Sequence, residues 1–133
     1  MRGLHLTADL RGCAADMPLM TLPSALRSAC LSAVATAGLT PVGELFHRFD
    51  PAPHASQSGA GGVTGVVLLA ESHLAVHTWP EIGAATLDVY VCNLDADNSV
   101  RAETVMALLV EAFAPTAIER HAVERGALAA APA

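Results

Sequence analysis

Residues Gly61–Glu81 read GGVTGVVLLAESHLAVHTWPE, and the rest of the chain is arranged around them. Two extended apolar runs, Val63–Ala70 and His73–Trp79, flank a polar junction, Glu71-Ser72-His73. Short runs of β-branched and aliphatic residues predict strands. The junction is poor material for the middle of a buried ladder. It sets a hydroxyl between a carboxylate and an imidazole, which is material for chemistry. Pro80 ends the second run, because proline has no N–H to give a ladder.

Upstream, Leu4–Leu10 alternates loosely and predicts a first strand ending at Arg11-Gly12-Cys13. Pro18 and Pro23 bracket a loop. Within Ser24–Ala37 the residues Leu26, Cys30, Ala33, Val34 and Ala37 recur at helical spacing, and Gly38 supplies a stop. Val42–Phe49 alternates as a second strand, and Pro51–Gly62, rich in Pro, Ser and Gly, predicts a mobile loop. Downstream, Ala85–Cys92 sets Thr86, Asp88, Tyr90 and Cys92 on one face and Leu87, Val89 and Val91 on the other. Capping residues Asp95–Ser99 precede a second amphipathic helix, Val100–Phe113, carrying Val105, Leu108, Leu109 and Ala112. Pro115 ends it, Thr116–Val123 predicts a last strand, and residues 126–133 form a small-residue tail expected to be disordered. The expected fold is α+β: one domain over residues 1–125, a largely antiparallel sheet with two helices packed on one face. With no third helix to cover the other face, a second subunit is the expected cover.

Composition narrows the partners. The chain has 133 residues, of which 53% are hydrophobic, and only 4% are aromatic. A core of small aliphatics needs many of them, and part of that excess suits a subunit interface. A formal charge of −6 argues against nucleic acid as partner. Cys13, Cys30 and Cys92 are odd in number and lack metal-site spacing, so neither a disulfide framework nor zinc is expected. No apolar run reaches the roughly 20 residues that span a bilayer. A cytoplasmic protein, with no membrane partner, is the expectation. His73 and His77 stand four apart, but four strand residues span roughly 13 Å, too far for one ion. No metal is expected.

The stretch GVTGVVLLAESHLAVHTWPE resembles the centre of the prokaryotic S-adenosylmethionine decarboxylase proenzymes, the short bacterial and archaeal type. His5, Asp9, Leu10, Gly12 and Cys13 add the family's opening pattern. The resemblance implies a pyruvoyl-dependent enzyme that cuts itself at Glu71-Ser72 into residues 1–71 and 72–133. Ser72 attacks the Glu71 carbonyl, a base removes the serine α-proton, and the residual dehydroalanine hydrolyses to a pyruvoyl group. Its ketone condenses with a substrate amine as a Schiff base and acts as an electron sink. By the same resemblance His77 is the base for self-processing and Thr64, where the family commonly has serine, polarises the Glu71 carbonyl. Cys92 is the proton donor in catalysis, and an ordinary thiol still holds its proton at pH 7. Phe49, Trp79 and Glu81 are implied to bind substrate: aromatic faces attract a sulfonium and stack on adenine, and the carboxylate accepts ribose hydroxyls. The family's short members pair sheet to sheet as homodimers, an αββα sandwich with active sites at or near the interface.

The implied activity is decarboxylation of S-adenosylmethionine to the aminopropyl donor for spermidine synthesis. Two alternatives stand beside it. A pyruvoyl-dependent arginine or ornithine decarboxylase on the same scaffold would use the long Pro51–Gly62 segment to reshape the pocket, with Glu44, Glu71 or Glu81 meeting the distal charge. A non-catalytic, unprocessed partner subunit is opposed by the joint presence of Glu71, Ser72, His77 and Cys92. Asn93 stands where the family frequently has glycine.

Overall fold

Alternation along the two central runs decides which side of the sheet is buried. Val63, Val67, Leu69, Leu74, Val76 and Thr78 lie on the covered side, and Thr64, Val66, Ala75 and His77 face away from it. The computed structural model describes residues 1–51 and 61–126. Its elements are β1 (Gly3–Arg11), α1 (Pro18–Thr21), α2 (Pro23–Ala37), β2 (Pro41–Arg48), β3 (Val63–Leu69), β4 (Ser72–Trp79), β5 (Ala84–Cys92), α3 (Ser99–Phe113) and β6 (Ala117–Arg125). The strands order as β2-β3-β4-β5-β1-β6, and every neighbouring pair is antiparallel. The α+β class and the antiparallel sheet follow the alternation read from the sequence.

The helices pack on the buried side, α2 against β2 and β3, α3 against β1 and β5, α1 against β4. Leu26, Cys30, Ala33 and Val34 of α2 are buried as their spacing predicts. Gly38 closes α2 in the left-handed region at φ 82, where a side chain would be strained. On α3 the buried stripe is Ala102, Val105, Met106, Leu109 and Phe113, so Leu108 is only half-buried and Ala112 is exposed. Each fully buried Leu or Phe contributes about 1.5–3 kcal/mol relative to exposure.

Several expectations are corrected. The segment from Pro18 to Pro23 is not a plain loop: Pro18 begins the four-residue helix α1 and Pro23 begins α2. Proline suits a first helical turn, whose N–H groups have no partner within the helix. Among the described residues three helices therefore pack on the sheet, where two were expected. Ser72 and His73 belong to the β4 ladder, pairing with Leu69 and Leu68, so the break in the hairpin is Ala70-Glu71. Of the expected Pro51–Gly62 loop, residues 52–60 lie outside the described residues, as do residues 127–133 of the expected tail.

The face turned away from the helices mixes polar and apolar groups. Leu45, Leu68 and Val123 are at least half exposed there, and His5 Nε2 lies 3.0 Å from Asp88 Oδ1. Among the described residues no helix is long and apolar enough to cross a membrane.

Candidate active site

The sequence-predicted site residues fall into two groups, one at each end of the central hairpin. At the first end, β2 runs out into Phe49, β3 begins with Thr64, and β4 finishes with His77 and Trp79. These residues line a cavity of about 410 Å³ with Asp50, Gly62, Thr78 and Glu81, a size that suits a small organic ligand. Thr64 pairs with His77 across the ladder, and Thr64 Oγ1 and His77 Nδ1 share a hydrogen bond at 3.0 Å. Phe49 and Trp79 stay 50% and 39% exposed and line the cavity instead of packing in the core.

Gly62 makes this end possible. Its carbonyl accepts the Phe49 N–H at 2.9 Å, and a Cβ there would run into the Thr78 carbonyl. Beneath it, the buried Thr78 hydroxyl donates to the Met20 carbonyl at 2.8 Å and accepts the Val63 N–H at 2.8 Å. That hydroxyl ties α1 to the floor of the cavity.

The second group sits where β4 begins and β5 ends. Ser72 has φ 148, a conformation that side chains rarely adopt and that costs of order 1–3 kcal/mol. The Glu71 carbonyl accepts the Cys92 N–H at 2.7 Å, and Glu71 Oε1 accepts the Thr40 N–H at 3.0 Å. Both the acyl carbon ahead of Ser72 and the side chain it carries are thereby held. Glu71 and Cys92 line a second cavity, about 310 Å³, with Asp95, Asn98 and Arg101. Cys92 is half-buried, whereas Cys13 and Cys30 sit in the core, and burial pushes the Cys30 thiol up to about 12. Burial also raises Cys13. Neither core thiol is a ready nucleophile or proton shuttle.

Within one chain the two groups do not meet. Ser72 and His77 are five residues apart on one extended strand, about 16 Å. The structure thus joins Phe49, Thr64, His77, Trp79 and Glu81 in one place, and Glu71, Ser72 and Cys92 in another.

A family model described as S-adenosylmethionine decarboxylase matches residues 4–126. The chain belongs to the S-adenosylmethionine decarboxylase family. An S-adenosylmethionine decarboxylase proenzyme of Aquifex aeolicus is 40% identical over 124 residues, 93% of this chain and 81% of that one. A proenzyme of the same name from Archaeoglobus fulgidus is 34% identical over 93% of this chain and 97% of its own length. The crystal structure of the adenosylmethionine decarboxylase from Aquifex aeolicus matches this fold with a TM-score of 0.82 at 36% identity, covering 98% of this chain and 96% of the other.

Thr78, Asp50, Asn98 and Arg101 line this family member's two cavities and are not among the site residues predicted from its sequence. Thr78 had a visible signal: a hydroxyl at a position where Leu74 and Val76 alternate as core. Asp50 follows Phe49 directly and shares its cavity. Asn98 reads as one of the capping residues ahead of the second helix and Arg101 as a position within that helix, and nothing local marks them as lining the cavity with Cys92.

Proposed function

We propose that this chain is a self-cleaving decarboxylase proenzyme whose processed form removes carbon dioxide from S-adenosylmethionine, making the aminopropyl donor for spermidine synthesis. The observation that carries the reading is the Glu71–Ser72 junction, with its strained φ and its carbonyl already hydrogen-bonded to the Cys92 N–H. The Ser72 hydroxyl adds to the Glu71 carbonyl carbon, and the oxyanion that forms keeps the Cys92 N–H as donor. The C–N bond breaks, the serine nitrogen takes a proton, and an ester remains. A base then takes the Ser72 α-proton and the ester C–O bond breaks, releasing Glu71 as a carboxylate. Addition of one water to the residual dehydroamino group expels ammonia and leaves the pyruvoyl. The donor set fits that group, since its precursor serine lies beside a bound carbonyl and a half-buried thiol. When present, the pyruvoyl ketone supplies an electron sink for the bond to the leaving carboxylate.

His77 serves as the base for self-processing and Thr64 as the hydroxyl that polarises the Glu71 carbonyl, and their 3.0 Å contact supports their acting together. Both stand about 16 Å from Ser72 in their own chain. A homodimer resolves this: two copies joined through their uncovered sheet faces around a two-fold axis bring the Thr64–His77 end of one over the Ser72–Cys92 end of the other. The exposed Leu45, Leu68 and Val123 on that face favour such a partner. The result is the αββα sandwich. Three free thiols suit a reducing cytoplasm.

Substrate binding falls to Phe49, Trp79 and Glu81, with Asp50 as a second carboxylate near a sulfonium. Of the carboxylates considered for an arginine or ornithine pocket, Glu44 is paired with Arg27 and Glu71 is tied to the Thr40 N–H. Phe49→Ala is expected to cost S-adenosylmethionine turnover roughly 1–3 kcal/mol in kcat/KM, the scale of one stacking platform. Labelled S-adenosylmethionine, arginine and ornithine assayed side by side test the assignment. Carbon dioxide released from arginine or ornithine alone would overturn it.

Cys92→Ala is expected to self-cleave, because the backbone N–H that meets Glu71 survives the substitution. Its turnover should fall, because the thiol that returns a proton to the substrate α-carbon is gone. Fragment yield measured against carbon dioxide release separates the two roles, and equal loss of both would make Cys92 structural.

A further inference from the structure

Asn98 occupies the N-cap position of α3, where an asparagine ordinarily accepts an N–H of the first helical turn. Here its side chain makes no such bond. It is buried, 5% exposed, and turns the other way. Its Nδ2 donates to the Cys92 carbonyl at 2.9 Å, and its Oδ1 accepts from Arg101 Nη1 at 2.8 Å. The Asn98 backbone N–H is itself held by Asn93 Oδ1 at 2.8 Å. Asn93 is fixed in turn, its N–H donating to the Arg2 carbonyl at 2.7 Å and its Nδ2 to Ser99 Oγ at 3.1 Å.

The consequence falls on Cys92. Its N–H is committed to the Glu71 carbonyl and its C=O to the Asn98 amide. Fixing the peptide groups on both sides of a residue fixes its φ and ψ, and with them the direction in which the Cα–Cβ bond leaves. The buried Asn98 amide therefore fixes one of the two peptide groups that set the Cys92 backbone and the direction from which its thiol starts. Arg101 decides which way round that amide sits, because a guanidinium can only donate and so demands the oxygen. Asn98 does not line the Phe49–Glu81 cavity.

We propose that Asn98, oriented by Arg101, is a positioning residue for both reactions at this end of the sheet. It holds Cys92 so that its N–H meets the Glu71 oxygen in self-cleavage and its thiol meets the substrate α-carbon in decarboxylation. The assignment rests on the self-cleaving decarboxylase reading above.

Asn98→Asp isolates the effect. Aspartate caps a helix as well as asparagine does and can still pair with Arg101, but it has no N–H for the Cys92 carbonyl and sets oxygen against oxygen. A residue that merely capped α3 would tolerate the change. The full chain bearing Asn98→Asp is expected to form fragments at least about tenfold more slowly than the unsubstituted chain. Once processed, it should show kcat reduced at least about tenfold with KM within about twofold, since Phe49, Trp79 and Glu81, to which substrate binding is assigned, line the other cavity. Arg101→Ala, on an exposed side chain, should shift both rates in the same direction by about threefold. If thermal melting shows that Asn98→Asp fails to fold, Arg101→Ala decides alone. Unaltered cleavage and kcat in the folded variants, or a rise in KM with kcat preserved, would overturn the proposal while leaving the decarboxylase reading intact. An unsubstituted chain that never yields fragments would remove both.

Discussion

Under denaturing conditions the purified protein is expected to separate into two fragments, residues 1–71 and 72–133, and Ser72→Ala to remain one chain. The effect is all-or-none because the variant keeps everything except the nucleophile. Its residue 72 can still take the costly φ, and the Glu71 carbonyl still has the Cys92 N–H. Strain of about 1–3 kcal/mol raises the ground state but opens no route to an ester without a hydroxyl. Intact-mass spectrometry reads the outcome directly. The downstream fragment should be lighter by one ammonia than a chain beginning with serine, and should have no free amine at its start. A single full-length species after long incubation would end the pyruvoyl reading, and a serine-started fragment would replace self-processing with ordinary proteolysis.

Two chains that cannot cleave alone are expected to cleave when mixed. His77→Ala lacks the base and Ser72→Ala lacks the nucleophile, so each expressed singly should stay intact. Co-expressed, they form mixed dimers in which the Ser72 end of the His77→Ala chain faces the His77 end of the Ser72→Ala chain. One of the two sites is then complete, and fragments should appear from the His77→Ala chain only. The motive is the distance: Ser72 and His77 lie about 16 Å apart along one strand, several times the reach of a proton transfer. Different affinity tags on the two chains identify which is cut. Mixed dimers that form and yield no fragments would refute the shared site and require a rearrangement that brings both ends of β4 together within one chain.

Much of the fold was legible because its signals are local. Thr86, Asp88, Tyr90 and Cys92 alternate against Leu87, Val89 and Val91, and the buried set is the one that alternation names. Gly38 stops α2 where a left-handed residue is needed. Pro18 misled for an equally local reason: a proline that interrupts one element can begin the next, and which occurs depends on whether the following turn finds something to pack on. Met20 does, fully buried, with its carbonyl held by Thr78 from far along the chain. The Asn98 contacts were illegible for a related reason. A capping residue ahead of an amphipathic helix has an obvious local task, and only the proximity of Cys92 and Arg101 draws its side chain away.

By itself the sequence determined the α+β class, the order of the strands along the chain, and the residue types the chemistry needs, because period-two alternation, helical spacing and a contiguous motif are properties of neighbouring residues. Only the tertiary structure decided which of those residues share a cavity. In sequence, Ser72 and His77 are near neighbours, yet an extended strand carries them to opposite ends of the sheet. Glu71 and Cys92 are far apart in sequence, yet the register of β4 against β5 sets one carbonyl on the other's N–H. Extended backbone separates close residues and antiparallel pairing joins distant ones. The motif's compactness in sequence is therefore no guide to the geometry of the site.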